Sequence, residues 1–473
     1  MLKQSCQLFF TLMLFLFIGG CALGPDYQIP ESLAPTQYKN NAPWKNATPS
    51  DYLDKGNWWE IYTDETLNRL ELQASEANQT LKAAYARLTQ AKAALGVSKA
   101  SKLPSVDLSG NAKRSRVLLN RFGFDTGPSG ILFNYYDISS VLNYEIDFFG
   151  RVKRTVEAAE ASAESATADY QTLLLLLQAE LASSYFTLRS TDIEISLLER
   201  TLELRKEALA IAQSRYKHGL VGLREMLLAR AEFASTKADL VGLQKQRGEL
   251  ENSIALLIGQ FPSTFTLDTV SVNLTVPAIV PGLPSSLLER RPDVASAERQ
   301  MAAASARIGV AKTAFFPAIN LIGSAGFGSS QLDNLFNWDN RSWALGPAIS
   351  LPIFDGGRKS NNLRQAKAAY EEAVANYRQQ VLVAFQEVED GLHGLQTLNQ
   401  QGQELQQAVD DYTKVWQISE MRYKAGLVSA LEVIDDRIPV LLFERLYNQI
   451  HGQQLIASVL LVKALGGGWQ SEF

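Results

Sequence analysis

The run SRYKHGLVGLREML, residues 214–227, returns as MRYKAGLVSALEVI at residues 421–434, with seven of the fourteen positions identical. Arg215 and Arg422 stand 207 residues apart, as do Arg151 of FFGRVKR and Arg358 of DGGRKS, and Gly259 and Gly466. Pro104 in LPSVDLSG and Pro317 in FPAINLIG are 213 apart, so the first half carries six extra residues between its proline and its arginine. Three anchors at one offset identify a tandem duplication. At 473 residues, length alone would suggest about three domains; the repeat makes it two copies of one unit.

Working outward from the motif, each copy has the same order. A helical segment runs up to it, from about Val152 to Lys217 and from Asn361 to Lys424. As one continuous helix, the first would span about 100 Å. Its heptad Ile195, Leu198, Leu202, Arg205, Leu209, Ala212, Tyr216 is apolar at six of seven seam positions, a coiled-coil pattern. Turns at Gly219–Gly222 and at Gly426 reverse the chain, and second helices return to Gly259 and Gly466. Paired helices of this length must bridge a distance.

Upstream of each long helix lie an Ala-rich helical stretch, with Asp64 or Asp293 suited to its start, and then two strand-like runs. Tyr136, Ile138, Leu142, Tyr144, Ile146 and Phe148 alternate with Asp137, Ser139, Asn143, Glu145 and Asp147. Trp343, Leu345, Ile349, Leu351 and Ile353 alternate with Ala344, Gly346, Ala348 and Ser350. Period two suits an outer-membrane strand or a half-buried soluble sheet. The aromatic ends (Tyr135, Tyr136, Phe148, Phe149, Phe315, Phe316, Trp343) favour the first. Four strands cannot close a membrane barrel, since single-chain barrels begin at about eight. Open edges in lipid cost several kcal/mol per unpaired group, so other chains must complete the sheet. A dimer would bring eight strands and a trimer twelve.

The amino terminus has one basic residue, Lys3, and a short apolar run, Leu8 to Ile18. That is the shape of a secretory signal, too short for a comfortable membrane helix. Ile18-Gly19-Gly20-Cys21 looks like the bacterial lipoprotein box, in which the cysteine receives a diacylglycerol, then an N-acyl chain, and becomes the new amino terminus. An ordinary signal with a chance cysteine is the alternative. Ala22 after the cysteine favours the outer membrane in enteric-type sorting, and Cys6 leaves with the leader.

Composition removes most other classes. Forty-five basic against 50 acidic residues is a poor prior for nucleic-acid binding. A mean hydropathy of -0.08 speaks against a polytopic helical membrane protein. His218, His393 and His451 are too dispersed to indicate a metal site. Gly323, Gly326 and Gly328 fall within a strand-like run, whereas a dinucleotide loop needs a strand-turn-helix context. No catalytic grouping stands out, so an enzyme is the least expected class.

CALGPDYQIP at 21–30, Trp58-Trp59 with Tyr62 and Asp64, SLLERRPDVASAERQMAAASARIGVAKTAFFPAINL at 286–321, LPIFDGGR at 351–358, VLVAFQEVEDGL at 381–392 and the two RYK-x-G turns together resemble the TolC superfamily of outer-membrane channels. The likeness is specifically to its lipoprotein, NodT-type branch, typified by OprM and CusC. The ERRPD run is the most diagnostic. The resemblance implies a mixed α and β membrane protein. It would be a homotrimer whose twelve-stranded transmembrane β-barrel, four strands per chain, continues into a long α-helical coiled-coil barrel in the periplasm. The expected division is a leader at 1–20, an N-terminal equatorial segment at 21–62, a first repeat at 63–285 and a second at 286–473. The 259–285 linker would join the equatorial domain.

The implied role is that of a passive exit duct in a Gram-negative outer membrane, working with a periplasmic membrane-fusion adaptor and an inner-membrane RND-type transporter. No cofactor is implied beyond the acyl chains on Cys21. In the family the hairpin tips meet the adaptor, which selects Gly219, Val221, Gly222 and Leu223 with Gly426, Val428, Ser429 and Ala430. Plain tight turns would account for the glycines. Glu225, Tyr423, Glu432 and Asp435 match positions that narrow the pore, and three chains would converge up to nine acids on one axis. Solvated helix-end charges are the bland alternative. Val428 stands where the TolC type has an arginine that ties adjacent hairpins, and Arg224 is a possible substitute. The competing function is a structural coiled-coil lipoprotein without a pore.

Overall fold

A computed structural model of the chain describes residues 24–28, 56–117, 131–269, 275–277 and 290–467. The leader and Cys21, residues 29–55, residues 270–274 and 278–285 of the 259–285 linker, and the last six residues lie outside the described residues.

A 3-10 turn (Trp58–Tyr62) leads into α1 (Glu65–Ala77) and α2 (Gln79–Ala100). Then come β1 (Ser105–Val117), β2 (Ile131–Glu145), α3 (Arg151–Lys217) and α4 (Leu223–Leu257). The second half supplies α5 (Pro292–Thr313), β3 (Ala318–Ser329), β4 (Arg341–Ser350), α6 (Arg358–Lys424) and α7 (Ala430–Ala464). The duplication is visible in the lengths: α3 and α6 each have 67 residues, α4 and α7 each 35. Sixty-seven residues of continuous helix rise about 100 Å.

The first helical stretch is broken in two. Asn78 leaves helical geometry at ψ 126°. Its Oδ1 accepts from Leu81 N at 3.0 Å, capping α2, and its Nδ2 donates to Leu257 O at 2.8 Å. Asp64 caps α1 as expected, accepting from Leu67 N at 2.9 Å. Asp293 sits inside the first turn of α5 and is held by Arg291. β2 ends at Glu145 and β4 at Ser350, so Ile146, Phe148, Leu351 and Ile353 fall beyond the strands to which the alternation assigned them. Asp147 explains the first limit. Its carboxylate accepts from Val152 N and Lys153 N, starting α3, and Asp355 does the same for Gly357 N and Lys359 N before α6. DFFGR and DGGR are helix-starting signals, with Gly150, Gly356 and Gly357 at positive φ.

The four strands form one antiparallel sheet in the order β1-β2-β3-β4. Pairing runs Val106–Leu142–Gly323–Leu345 across all four strands, Leu108–Ser140–Ala325–Trp343 beside it, and Ile319–Ile349 between β3 and β4. Directly paired residues share a face, so this face is mainly apolar, interrupted by Ser140 and, farther along the strands, by Arg114, Arg116, Asn134 and Arg341. The other carries Asp107, Ser109, Asn111, Asp137, Ser139, Asn143, Ser324, Gly326, Ser342 and Ala344. Gly326 is required for close approach: a Cβ there would lie 2.2 Å from Ile138 O. Aromatic rings sit at both ends of the sheet. Phe149 packs between Phe148 (5.1 Å) and Phe316 (4.9 Å) at the helix end. Phe327 meets Phe336 (5.9 Å) at the other.

By contacts the described chain divides into two compact units, each drawing on both halves of the sequence. One holds residues 24–28, 88–117, 131–166 and 297–377, and so the sheet. The second holds 56–87, 167–269 and 378–467 with the short segments between. Its core gathers Trp58, Tyr62, Leu67, Leu70, Leu181, Tyr185, Phe186, Ile254, Ile258, Val459 and Val462. The polar tips of its aromatics are satisfied: Tyr185 Oη donates to Asp64 Oδ2 at 2.7 Å, and Trp58 Nε1 to Gln178 Oε1 at 3.1 Å.

The diagnostic ERRPD run has a physical task in this unit. Arg291, 4% exposed, donates to both carboxylate oxygens of Asp293 (3.0 and 2.6 Å), to Glu387 Oε2 (2.6 Å) and to Ala464 O (3.0 Å). It ties the start of α5 to α6 and to an orphan carbonyl in the last turn of α7. Burial works against the charge of both partners, yet the ion pair wins, holding Asp293 below the usual carboxylate range.

Candidate functional site

The tips of the two helical hairpins are built by the repeated string. α3 ends in a Schellman motif: Leu220 N donates to Arg215 O at 2.8 Å and Gly219 N to Tyr216 O at 3.0 Å. α6 ends the same way, with Leu427 N to Arg422 O and Gly426 N to Tyr423 O, both 2.9 Å. Gly219 and Gly426 occupy φ 69° and 72°, where a Cβ would be strained. Lys217 and Lys424 face the negative end of the helix dipole. RYK-x-G-L thus has a local structural cause beyond its glycines.

Two residues later the next helices begin. Gly222 and Ser429 are the N-caps of α4 and α7. Ser429 accepts from Glu432 N, while Gly222, at φ -77°, has no conformational need to be glycine. Glu225 and Glu432 are equivalent first-turn acids, placed where the helix N-terminus favours negative charge. Val221, Val428 and Ala430 are half-buried, while Leu223 is exposed. Leu220 and Leu427 at the two tips are 70% and 71% exposed. Each tip therefore presents an unpaired leucine on a small-residue turn.

The acids are not all free. Arg422 Nη1 stands 3.3 Å from Glu432 Oε1 within the second hairpin. Arg224 lies 3.9 Å from its neighbour Glu225, with an 85% exposed side chain. Arg422 therefore pairs with a first-turn acid of the same hairpin, and its place in the RYK string concealed its reach to the following helix. Asp435 is raised above the usual carboxylate range, first by desolvation and then by Glu232 and Asp436, with Arg205 opposing. Asp436 accepts from Ser419 Oγ. Tyr423 lines a groove of about 670 Å³ with Trp416, Ala430, Ile434, Arg437 and Leu441. There the Arg437 guanidinium rests 4.0 Å from the Trp416 ring centroid. Among the described residues no cluster of three or more His, Cys, Asp or Glu could hold a metal, and no helix is long and apolar enough to cross a membrane.

Comparison with known proteins gives this geometry a family. The model of the outer membrane efflux protein family matches residues 72–260 and 283–467, one stretch in each half. The toluene efflux pump outer membrane protein TtgC of Pseudomonas putida is 31% identical over 461 residues, covering 96% of this chain and 94% of its own. The cation efflux system protein CusC of Escherichia coli is 30% identical over 465 residues, covering 96% and 97%. The solved structure of the outer-membrane channel OprN superposes with a TM-score of 0.82 at 30% identity, covering 95% of this chain and all of that one. The fold is that of the TolC-like channels, and the chain belongs to the outer membrane efflux protein family.

Proposed function

We propose that three copies of this chain assemble into the outer-membrane duct of a tripartite efflux pump. The observation that carries the reading is the sheet: one face is mainly apolar across the four strands, from Val106 to Leu345 and from Leu108 to Trp343, the other mainly small or polar, and both outer edges (β1 and β4) lack a partner strand among the described residues. Closure by two further copies gives twelve strands with lipid outside and water within, and removes every edge. β2 at 15 residues spans about 50 Å, or roughly 35 Å along the membrane normal at 45° tilt, enough to cross the apolar band.

The duct is passive. It has no catalytic residues and needs no cofactor beyond the acyl chains on Cys21; an inner-membrane RND-type transporter supplies the energy. The exposed Leu220 and Leu427 receive a periplasmic adaptor. The carboxylates Glu225, Glu432 and Asp435, with Tyr423 above the second turn, form the gate, and adaptor binding favours the open arrangement. Arg422 and Arg224 hold the closed one in place of the arginine that Val428 lacks.

Planar-bilayer recording tests both parts. Purified protein is expected to conduct with cation preference, and Glu225→Gln with Glu432→Gln and Asp435→Asn should weaken that preference. Absence of any conductance, together with no cross-link from Leu427→Cys to an adaptor, would return the chain to a pore-less coiled-coil lipoprotein.

A further inference from the structure

The groove that Tyr423 lines is built within the second unit from α3, α6 and α7, and each helix brings a different chemistry. Its apolar part joins Leu204 and Ile211 of α3 to Ile434 and Leu441 of α7. The same stretch of α3 is also acidic. Glu199, Glu203 and Glu207 follow at four-residue spacing, so three carboxylates share one helix face at intervals of about 6 Å. All three are exposed. Glu203 meets Lys206 at 3.1 Å in a largely solvated contact, a weak kind of pair. Glu199 and Glu207 make no ion pair among the described residues.

The lining from α6 is aromatic, and it already carries a cation. Trp416 and Tyr423 stand seven residues apart, and the Arg437 guanidinium rests 4.0 Å from the Trp416 ring centroid. Arg437 makes no ion pair among the described residues, so a ring and not an acid holds its charge there. Over the whole lining, three carboxylates face two guanidinium groups, Arg200 and Arg437. One further positive charge completes the balance. The volume of about 670 Å³ falls within the range of about 300–1,000 Å³ typical of small-molecule sites. A helix laid along α3 from Glu199 to Ile211 would be about 18 Å long and about 10 Å across, roughly 1,400 Å³, more than twice the space.

We propose that this groove binds an amphipathic aromatic monocation. The apolar rings of the ligand lie on Leu204, Ile434 and Leu441 beside Trp416, and its charged nitrogen turns to Glu203 and Glu207. Arg437 competes with it for the face of Trp416. None of the tip acids Glu225, Glu432 and Asp435 lines the groove, so the site stands whether or not those acids form a gate.

The test titrates ethidium, an aromatic monocation, into the detergent-extracted full chain and follows fluorescence anisotropy, with fluorescein as an aromatic anion for comparison. Saturable binding of one ethidium per chain is expected, and none of fluorescein. Glu203→Gln combined with Glu207→Gln should weaken it about three- to ten-fold, and Trp416→Ala by about two- to five-fold. Arg437→Ala is the sharpest arm: it bares the ring and should tighten binding about two- to five-fold, whereas Arg437→Lys, which keeps a cation, should bind as wild type does. An Arg437 that merely supports the helices predicts weaker binding in Arg437→Ala, and that result overturns the proposal. Circular dichroism checks that each variant keeps its helix content. Fluorescein bound as well as ethidium overturns the site, as does ethidium binding that survives Trp416→Ala but is lost with Glu225→Gln and Glu432→Gln. Absence of saturable binding overturns it too; if Glu207→Cys is then shielded from a water-soluble maleimide, a second copy covers the groove. A lysine-rich helical peptide that displaces ethidium at lower concentration, through the same glutamates and Trp416, assigns the groove to a helical partner and overturns the small-cation site.

Discussion

Replacing Arg291 by leucine is expected to destabilise the unit containing α7 by about 3 kcal/mol. The guanidinium is nearly enclosed and makes four hydrogen bonds, three of them to carboxylates. Removing one partner of a buried ion pair costs about 3–5 kcal/mol, because the charges left behind have lost their compensation. Here the Asp293 and Glu387 side chains are 21% and 32% exposed. Water can partly resolvate them, which places the effect at the low end. Ala464 O also loses a donor at the end of α7. Arg291→Lys retains a charge but not the planar fork, so about 1–2 kcal/mol is expected. Arg291→Leu combined with Glu387→Leu should be less than additive by at least about 1 kcal/mol. Pulse proteolysis of detergent-extracted protein across a urea series, with fragments assigned by mass to 290–467, measures all three. The pH dependence has a fixed sign. Asp293 has a depressed folded pKa, so its contribution is complete above the unfolded value of about 3.9 and is lost as pH falls through the folded one. Wild type and Arg291→Leu should converge in acid and diverge towards neutrality. An Arg291→Leu variant within about 0.5 kcal/mol of wild type at neutral pH, or a difference that grows in acid, would refute the assignment.

Other outcomes follow from single residues. Glu71 is wholly buried in α1, its two carboxylate oxygens have no partner among the described residues, and burial raises its pKa well above normal. Glu71→Leu should therefore stabilise the protein by about 1–3 kcal/mol at neutral pH. The gain should shrink as pH falls through the raised folded value towards about 4.3, below which the unfolded carboxyl is protonated too; urea midpoints at pH 4 and 7.5 measure it. Gly426→Val forces a branched residue into φ 72°, and hydrogen exchange in the second hairpin turn should accelerate by the equivalent of about 1–3 kcal/mol. Gly222→Ala, at negative φ, should leave exchange in the first turn nearly unchanged. Arg422→Gln frees Glu432 with little loss of stability, about 0–1 kcal/mol for so exposed a pair, but should raise single-channel open probability.

Most of the architecture was legible because its causes are local. The Schellman glycines at 219 and 426, the capping role of Asp64 and the alternation in β2 and β4 each involve residues within a few positions of one another. Where local signals failed, a distant group had intervened. Asn78 breaks one expected helix into two because its amide finds Leu257 O, 179 residues away. Asp293 accepts from Arg291 and from Gln380 Nε2 on α6 more than it serves the end of its own helix. At the candidate gate, the sequence located the acids but not their neighbours. Arg422 reaches Glu432 only because the turn folds α7 back beside α6, and Asp435 is perturbed by Glu232 and Arg205 from the other half.

The amino-acid order, then, settled the duplication, the helix lengths, the turn chemistry and the presence of amphipathic strands, since each is written in a short period or a short spacing. Only the folded chain showed that the four strands register Val106, Leu142 and Leu345, and Leu108 and Trp343, onto one face of the sheet. Only there does Arg291 close α5, α6 and α7 around one buried charge. Pairing register and ion-pair geometry depend on contacts hundreds of residues apart, and no local period encodes which of many compatible partners will meet.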